Sequence, residues 1–152
     1  MLLDIEALLV RLVLKWSSAG LTIRPGAEEA ALRDFERLHG VSLPEDFRLY
    51  LATVDGMHEM EWDSDLIHFW RLEEMRSLLE EISKVEDPEP LRGFFVFADH
   101  SIWAHGYAIR LTSDYDDAGR VVLVHSRIGT IAHSFTEFLQ LYLDAPGDLF
   151  LA

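Results

Sequence analysis

Histidine is the residue type in this sequence best suited to bind a metal ion. Two of its seven histidines, His105 and His125, lie in segments predicted to form neighbouring strands, and His100 lies beside Asp99 in a predicted turn. Three neutral imidazoles brought together would bind zinc or nickel. Isolated histidines are more often structural or surface groups, and the sequence does not fix the distances between these three. A metal-dependent enzyme is therefore one hypothesis, and a structural role for the histidines is its alternative.

The sequence lacks the motifs of the common catalytic sites. It has no cysteine, which excludes thiolate catalysis and cysteine-ligated zinc. It contains no Gly-x-Ser-x-Gly elbow, phosphate-binding loop or Gly-x-Gly-x-x-Gly motif, and His58-Glu59 is not followed by a second histidine at zinc-protease spacing. The carboxylate pairs Glu73-Glu74 and Glu80-Glu81 lie on a predicted helix that faces solvent. We therefore predict a protein that is not an enzyme, with no catalytic residue, metal or cofactor.

Two acidic segments are the best candidates for a binding surface. The first, Met57 to Asp65, alternates carboxylates with two methionines and a tryptophan, and the second lies in a predicted turn between strands. Acidic groups around exposed apolar side chains favour a basic protein partner, because charge steers the encounter and aromatic residues supply affinity. The predicted contacts are Glu59, Glu61, Trp62, Asp63, Asp65, Asp114, Tyr115, Asp116 and Asp117. The alternatives are that Met57, Met60 and Trp62 cover the core, and that the second segment is only a polar hairpin loop.

The charge of the chain restricts its partners. Its 13 lysines and arginines against 27 aspartates and glutamates give a formal net charge of −14. Such a field repels nucleic acids and anionic membranes and attracts basic proteins, although it also serves solubility. No stretch approaches the roughly 18 uninterrupted apolar residues of a membrane span, and Asp4 and Glu6 stand where a signal peptide would be positive. The expected location is the cytoplasm.

These candidate residues must be positioned by helices that come first and strands that come later in the chain. Apolar side chains at helical spacing predict helices over residues 1–16, 27–39, 44–54 and 72–82. A closing helix is predicted after a capping box formed by Ser134 and Glu137. Strands are predicted over residues 66–70, 94–98, 103–111, 121–126 and 129–133. Short connections between consecutive strands imply antiparallel pairing. We therefore predict an α+β fold in one domain, residues 1–152, with N-terminal helices packed on an antiparallel meander and a closing C-terminal helix.

Two of these helices meet at a short turn that contains a Leu-Pro pair. Gly40 can adopt the left-handed conformation that ends the first, and Pro44 suits the first position of the second. In the first helix, Ala31, Phe35 and Leu38 are predicted to point inward. The apolar face predicted for the second helix consists of Phe47, Tyr50, Leu51 and Val54.

The order of these motifs resembles the SUKH superfamily, which includes yeast cell-wall-assembly regulators and many bacterial immunity proteins. The resemblance covers roughly residues 25 to 145. Its motifs lie in the predicted helices and strands: Phe35-Glu36, Gly40, Leu43 to Phe47, Leu51, Gly56, Phe69 to Met75, Phe95 to Asp99, Tyr107 to Ile109 and Ile131 to Leu139. It implies a shared fold with a variable partner. Bacterial members often neutralise toxin domains, many of them nucleases, by binding them, and the family has no shared catalytic residues.

Three hypotheses follow from the residues and the resemblance. The first is an immunity protein whose acidic face covers the basic groove that a nuclease toxin uses for phosphate. The second is a regulatory scaffold that binds endogenous proteins. The third is the metal-dependent enzyme. We favour the first, with a basic cognate toxin domain as partner.

Overall fold

Apolar side chains at helical spacing form three helices in the first third of the chain. The computed structural model describes residues 4–82, 85–111 and 114–150. The helices are α1 (Ile5–Ser18), α2 (Glu29–His39), α3 (Glu45–Val54), the single turn α4 (Leu78–Glu81) and α5 (Phe135–Asp144). Short 3-10 turns lie at Leu72–Glu74, Glu89–Leu91 and Pro146–Phe150. Within the described ranges, no helix is long and apolar enough to cross a membrane.

In the part of the chain that the structure describes, six strands form one antiparallel sheet. They are β1 (Ile67–Phe69), β2 (Arg76–Ser77), β3 (Phe94–His100), β4 (His105–Arg110), β5 (Val121–Val124) and β6 (Ile128–Ala132). Their order is β1-β3-β4-β5-β6, and β2 pairs with β3 beside β1. The predicted α+β class, with a meander and a closing helix, is confirmed.

Helices α1, α3 and α5 contact one another and bury a cluster of aromatic rings against the sheet. Phe69 of β1 is representative, because its ring contacts Trp16 of α1 at 5.2 Å, Tyr50 of α3 at 6.1 Å and Tyr142 of α5 at 4.9 Å between centroids. The predicted apolar face of α3 is confirmed, since all four of its residues are buried.

The helix boundaries follow the predicted capping residues closely. Gly40 ends α2 with a left-handed φ of 63°, as predicted, whereas Pro44 caps α3 from the position just before the helix. The Ser134 side chain accepts a hydrogen bond from the Glu137 N–H at 3.0 Å, which confirms this half of the capping box. The Glu137 carboxylate accepts instead from the His133 N–H at 3.2 Å.

The inward face predicted for α2 is wrong at two of its three positions. Phe35 is buried together with Leu32, but Ala31 is exposed and Leu38 is 79% exposed. Ala31 and Leu38, seven residues apart, share a flank of the helix that turns away from the sheet. The larger Phe35 ring fixes the orientation by packing on Phe95 of β3, with 5.6 Å between centroids.

The helix predicted over residues 72–82 is also wrong. The segment forms a 3-10 turn, then β2, then the single turn α4. Arg76 and Ser77 pair with Val96 and Phe95 of β3, so a free strand edge outweighs the local helical pattern. Residues 1–3 of the predicted first helix and Ser113 of a predicted turn lie outside the described residues.

Candidate functional site

An apolar groove whose lining includes the carboxylates of Glu59, Glu74 and Asp99, called here the acidic groove, lies where β1 begins and β3 ends. Its volume is about 560 Å³. Residues from four places in the chain line it: Glu59, Met60, Trp62, Leu66, His68, Glu74, Asp99, Ser101 and Ile102. Among the residues that line this groove in the described chain, there is no lysine or arginine.

Strand pairing places the two central polar groups of the groove. His68 of β1 lies directly opposite Asp99 of β3 in the antiparallel register. Residues opposite each other in such a pair share one face of the sheet, so both side chains reach the groove. Ile67 and Phe69, which flank His68, are fully buried on the other face, as strand alternation requires.

Asp63, one of the predicted contacts, lies inside the protein with only 5% of its surface exposed. Its Oδ1 accepts hydrogen bonds from the backbone N–H groups of Asp65 and Ile67, at 2.8 and 2.9 Å. Its Oδ2 accepts from the Tyr142 hydroxyl, which in turn accepts from the Trp16 indole at 3.0 Å. Asp63 therefore ties the acidic segment to α1 and α5 and does not present its carboxylate to a partner.

Glu61 is held in a similar way. Its two carboxylate oxygens accept hydrogen bonds from the N–H and the hydroxyl of Thr22, each at 2.9 Å. Its carbonyl oxygen accepts from Nδ1 of His68 at 2.6 Å. These bonds fix the acidic segment against the loop that follows α1, so that the segment forms a preorganised wall of the groove.

The apolar residues of the first acidic segment divide between core and surface. Met57 is buried, as the core-covering alternative expected. Met60 is 76% exposed and Trp62 is 41% exposed, and both line the groove. Glu59 is exposed beside them, and Asp65 is half-buried. Of the five contacts predicted in this segment, the structure therefore brings Glu59 and Trp62 to the groove.

The opposite wall is a tight turn between β3 and β4. Ser101, Ile102 and Trp103 have consecutive positive φ angles of 51°, 54° and 69°, which side-chain-bearing residues rarely adopt. Trp103 holds the turn by packing edge-on against Trp70, with 6.0 Å between ring centroids. Gly106 makes room for it, because a Cβ there would lie 2.2 Å from the Trp103 ring. The turn displays Ile102, which is 85% exposed.

Two of the groove residues have shifted pKa values, lowered for Glu74 and raised for His68. Burial alone would raise the pKa of Glu74, but the nearby His68 and hydrogen bonds from the backbone and side chain of Arg71 lower it to about 2. Burial alone would lower the pKa of His68, but Glu74, the Glu61 carbonyl and Asp99 together raise it above its ordinary value. His68 and Glu74 thus stabilise each other's charged forms, with 3.9 Å between His68 Nε2 and Glu74 Oε1.

Asp99 has a different environment. Burial raises the pKa of its carboxyl group, and the nearby His68, the Trp70 side chain and the Trp103 N–H offset this only in part. Within the described chain, no Lys, Arg or His nitrogen lies within 4 Å of this carboxylate. The sequence pattern grouped Asp99 with His100 and did not predict its place in the groove. Adjacent residues of a strand point to opposite faces of the sheet, so Asp99 and His100 are directed to different sides of β3.

The second acidic segment lies at the other end of the sheet, beyond β4. Because β3 has seven residues, the two ends are separated by about 20 Å. Asp117 pairs with Arg110 and Arg120, each at 3.0 Å. The Tyr115 ring lies under Arg110 and its hydroxyl donates to Glu89 at 3.1 Å. The structure therefore does not join the two acidic segments into one surface.

The three histidines of the metal hypothesis do lie together. His100 and His105 are paired across β3 and β4, their ring centroids are 5.4 Å apart, and His125 follows at 5.2 Å from His105. The Phe150 ring packs on His100 at 4.8 Å. Asp99 faces the groove on the other side of β3. In residues 4–82, 85–111 and 114–150, no group of three or more His, Asp or Glu is arranged to hold a metal ion.

Comparison with known proteins supplies the family. No curated protein matches the chain. The model of the SMI1 / KNR4 family (SUKH-1) matches residues 26–141, which include α2 to α4, the whole sheet and most of α5. The match leaves α1 outside it, although α1 forms part of the core. The match spans most of the chain, which therefore belongs to the SMI1 / KNR4 family (SUKH-1) of the SUKH superfamily.

Proposed function

We propose that this protein is a non-catalytic binding module, an immunity protein that neutralises a basic, nuclease-type toxin by direct contact. Membership of the SUKH superfamily is consistent with such a role. The observation that carries the proposal is the acidic groove, in which carboxylates lie beside exposed apolar side chains and whose lining includes no described lysine or arginine.

The composition of the groove suits a protein interface. Met60, Trp62 and Ile102 project beside the carboxylates of Glu59 and Asp99. Exposed aromatic and aliphatic side chains supply most of the affinity of protein complexes when a partner buries them. The surrounding charge adds speed and selectivity, and the formal net charge of −14 extends the attraction to the whole molecule.

Inhibition would follow from competition for one surface. A nuclease binds phosphates through a basic groove, and an acidic protein seated there would exclude the substrate. Glu59, Trp62 and Asp65 are the contacts that we propose in the first segment, with Glu61 and Asp63 as positioning residues. A contact through Asp114, Tyr115, Asp116 or Asp117 would require a second area of interface at the other end of the sheet.

Co-expression tests the proposal directly. The chain would be produced together with the C-terminal domain encoded by the adjoining gene, and growth, co-purification and binding at several salt concentrations would be measured. We expect rescue of growth, and binding that weakens at least about tenfold between low and high salt because the attraction is electrostatic.

A charge-reversed pair of variants localises the interface. Glu59→Lys should weaken binding, whereas Glu86→Lys, the same change at an exposed residue that does not line the groove, should not. Binding that is unaffected by salt and by Glu59→Lys would contradict the electrostatic mechanism. Failure to rescue growth, together with capture of several endogenous proteins, would favour the regulatory scaffold instead.

A further inference from the structure

We infer that the acidic groove receives an arginine or lysine side chain of the partner, and that Asp99 is the carboxylate that pairs with it. This inference rests on the proposed function and names the chemical group recognised at that site.

The shape of the groove suits a long cationic side chain. Arginine and lysine combine an aliphatic stem with a charged end, and such stems lie readily on apolar surfaces. Met60, Leu66 and Ile102 offer that surface at the mouth. The exposed Trp62 ring provides a face on which a guanidinium can stack. The groove therefore provides both an apolar passage and a charged end.

Asp99 is the groove carboxylate best able to accept the cation. Glu74 already accepts from Arg71 at 2.9 Å and lies near His68 at 3.9 Å. Glu59 is exposed, so solvent weakens any pair that it forms. Asp99 is half-buried and has no cation within 4 Å among the described residues. The Trp70 side chain and the Trp103 N–H offset only part of the effect of burial. A half-buried carboxylate without a close ion pair gains more than an exposed or already paired one when a cation is brought to it.

A matched pair of peptides tests the inference without the toxin. Acetyl-Leu-Arg-Leu-amide would be titrated into the isotopically labelled protein, and acetyl-Leu-citrulline-Leu-amide would serve as the uncharged control of nearly the same shape. We expect saturable shifts of the Trp62 indole and Ile102 methyl resonances with the arginine peptide. Binding of the citrulline peptide should be at least about tenfold weaker, because the charge-assisted hydrogen bonds are lost.

Two isosteric variants identify the carboxylate. Asp99→Asn should weaken binding of the arginine peptide about tenfold or more, and Asp34→Asn, at an exposed acid of α2 that does not line the groove, should leave it unchanged. Unchanged unfolding of Asp99→Asn in urea would confirm that the loss is local. Equal binding of the two peptides, no saturable shift, or full binding by Asp99→Asn would overturn the inference.

The outcomes also separate this inference from the proposed function. Toxin neutralisation by a protein that ignores the arginine peptide would overturn the inference and leave the immunity role supported. Selective binding of the arginine peptide by a protein that rescues no toxin would support the cation site and contradict the immunity role.

Discussion

Three carboxylates in or near the acidic groove differ in what surrounds them. Asp63 is satisfied by two backbone N–H groups and a tyrosine hydroxyl. Glu74 is paired with Arg71 and lies near His68. Asp99 is half-buried, and within the described chain no Lys, Arg or His nitrogen lies within 4 Å of its carboxylate, although His68 lies opposite it. The first two environments stabilise the fold, whereas the third leaves a charge that a partner can neutralise.

The hydrogen-bonded chain from Trp16 through Tyr142 to Asp63 predicts a stability loss. Tyr142→Phe removes the hydroxyl and leaves a buried indole N–H and a buried carboxylate oxygen without this partner. The free energy of unfolding in urea should fall by about 1–3 kcal/mol. Tyr115→Phe, which removes a hydroxyl bonded to Glu89 at the surface, should change it by less than about 0.5 kcal/mol. Equal effects of the two variants would contradict this reading of Asp63.

The pairing of His68 with Glu74 predicts a histidine that titrates above its ordinary value of 6.5. Because the folded-state pKa is raised, the bound proton stabilises the fold below the unfolded-state pKa, and this contribution is lost as pH rises through the folded-state value. An NMR titration of His68 should show the raised midpoint, and Glu74→Gln should lower it.

Glu73→Gln is the matched control for that titration. Glu73 pairs with the same Arg71, at 3.0 Å, but lies mostly in solvent. Its replacement should move the His68 midpoint far less than Glu74→Gln does. A midpoint at or below 6.5 in the unmodified protein would contradict the assigned pairing.

At the scale of elements, the turn between β3 and β4 is the most constrained part of the groove. Three successive residues with positive φ carry an energetic cost, roughly 1–2 kcal/mol for each residue with a Cβ. The packing of Trp103 on Trp70 and the absence of a side chain at Gly106 hold the turn in place. This conformation is what projects Ile102 at the mouth of the groove.

Replacement of Ile102 by glycine should therefore relieve the backbone strain of this turn. Ile102→Gly relieves a β-branched residue at φ 54°, so the free energy of unfolding should rise by up to about 1 kcal/mol. Ile128→Gly, the same change within β6, should lower it by about 0.5–1 kcal/mol. Both values are accessible by urea denaturation. A clear loss of stability in Ile102→Gly would show that the side chain is needed for packing.

At the scale of the whole molecule, the core extends beyond the part that matches the family. The family match begins at residue 26, yet α1 buries Leu8, Leu9, Leu12 and Trp16 against the rest of the protein. Trp16 also reaches Phe69 in the sheet and Tyr142 in α5. Helix α1 is therefore an integral layer of this fold.

Truncation of Trp16 measures that contribution. Trp16→Ala should lower the free energy of unfolding by about 3–5 kcal/mol, the range for a large side chain removed from a core. Leu14→Ala on the exposed side of the same helix should change it by less than about 0.5 kcal/mol. Thermal or urea unfolding of the two variants compares them directly. A small effect of Trp16→Ala would mean that α1 is only loosely attached.

Charge is distributed unevenly over the molecule. At one end of the sheet, Arg110 and Arg120 both pair with Asp117 of the second acidic segment. At the other end, the groove has carboxylates and, in its described lining, no lysine or arginine. The net charge would attract a basic partner to the whole molecule. The positions of the protein's own lysines and arginines would determine which part of the surface such a partner binds.

Elements with local sequence signals could be predicted without the structure. Gly40 after an apolar helix, Ser134 before another, and the runs of β-branched and aromatic residues in β3 to β5 each act within a few residues of the chain. Side-chain periodicity and capping are local properties, so the α+β order and most boundaries could be predicted. The segment over residues 72–82 failed because strand pairing with β3, a distant element, decided its conformation.

Long-range contacts decided which acidic residues are bound within the fold and which line the groove. Asp63 and Asp99 are the same residue type, but the tyrosine that binds Asp63 lies 79 positions away in sequence, and Asp99 meets His68 through strand pairing. Burial and neighbouring charges are set by such long-range contacts, and they determine what a carboxylate can do. For this reason the sequence predicted an acidic surface, while the fold buried Asp63 and placed Glu59, Trp62 and Asp99 in one groove.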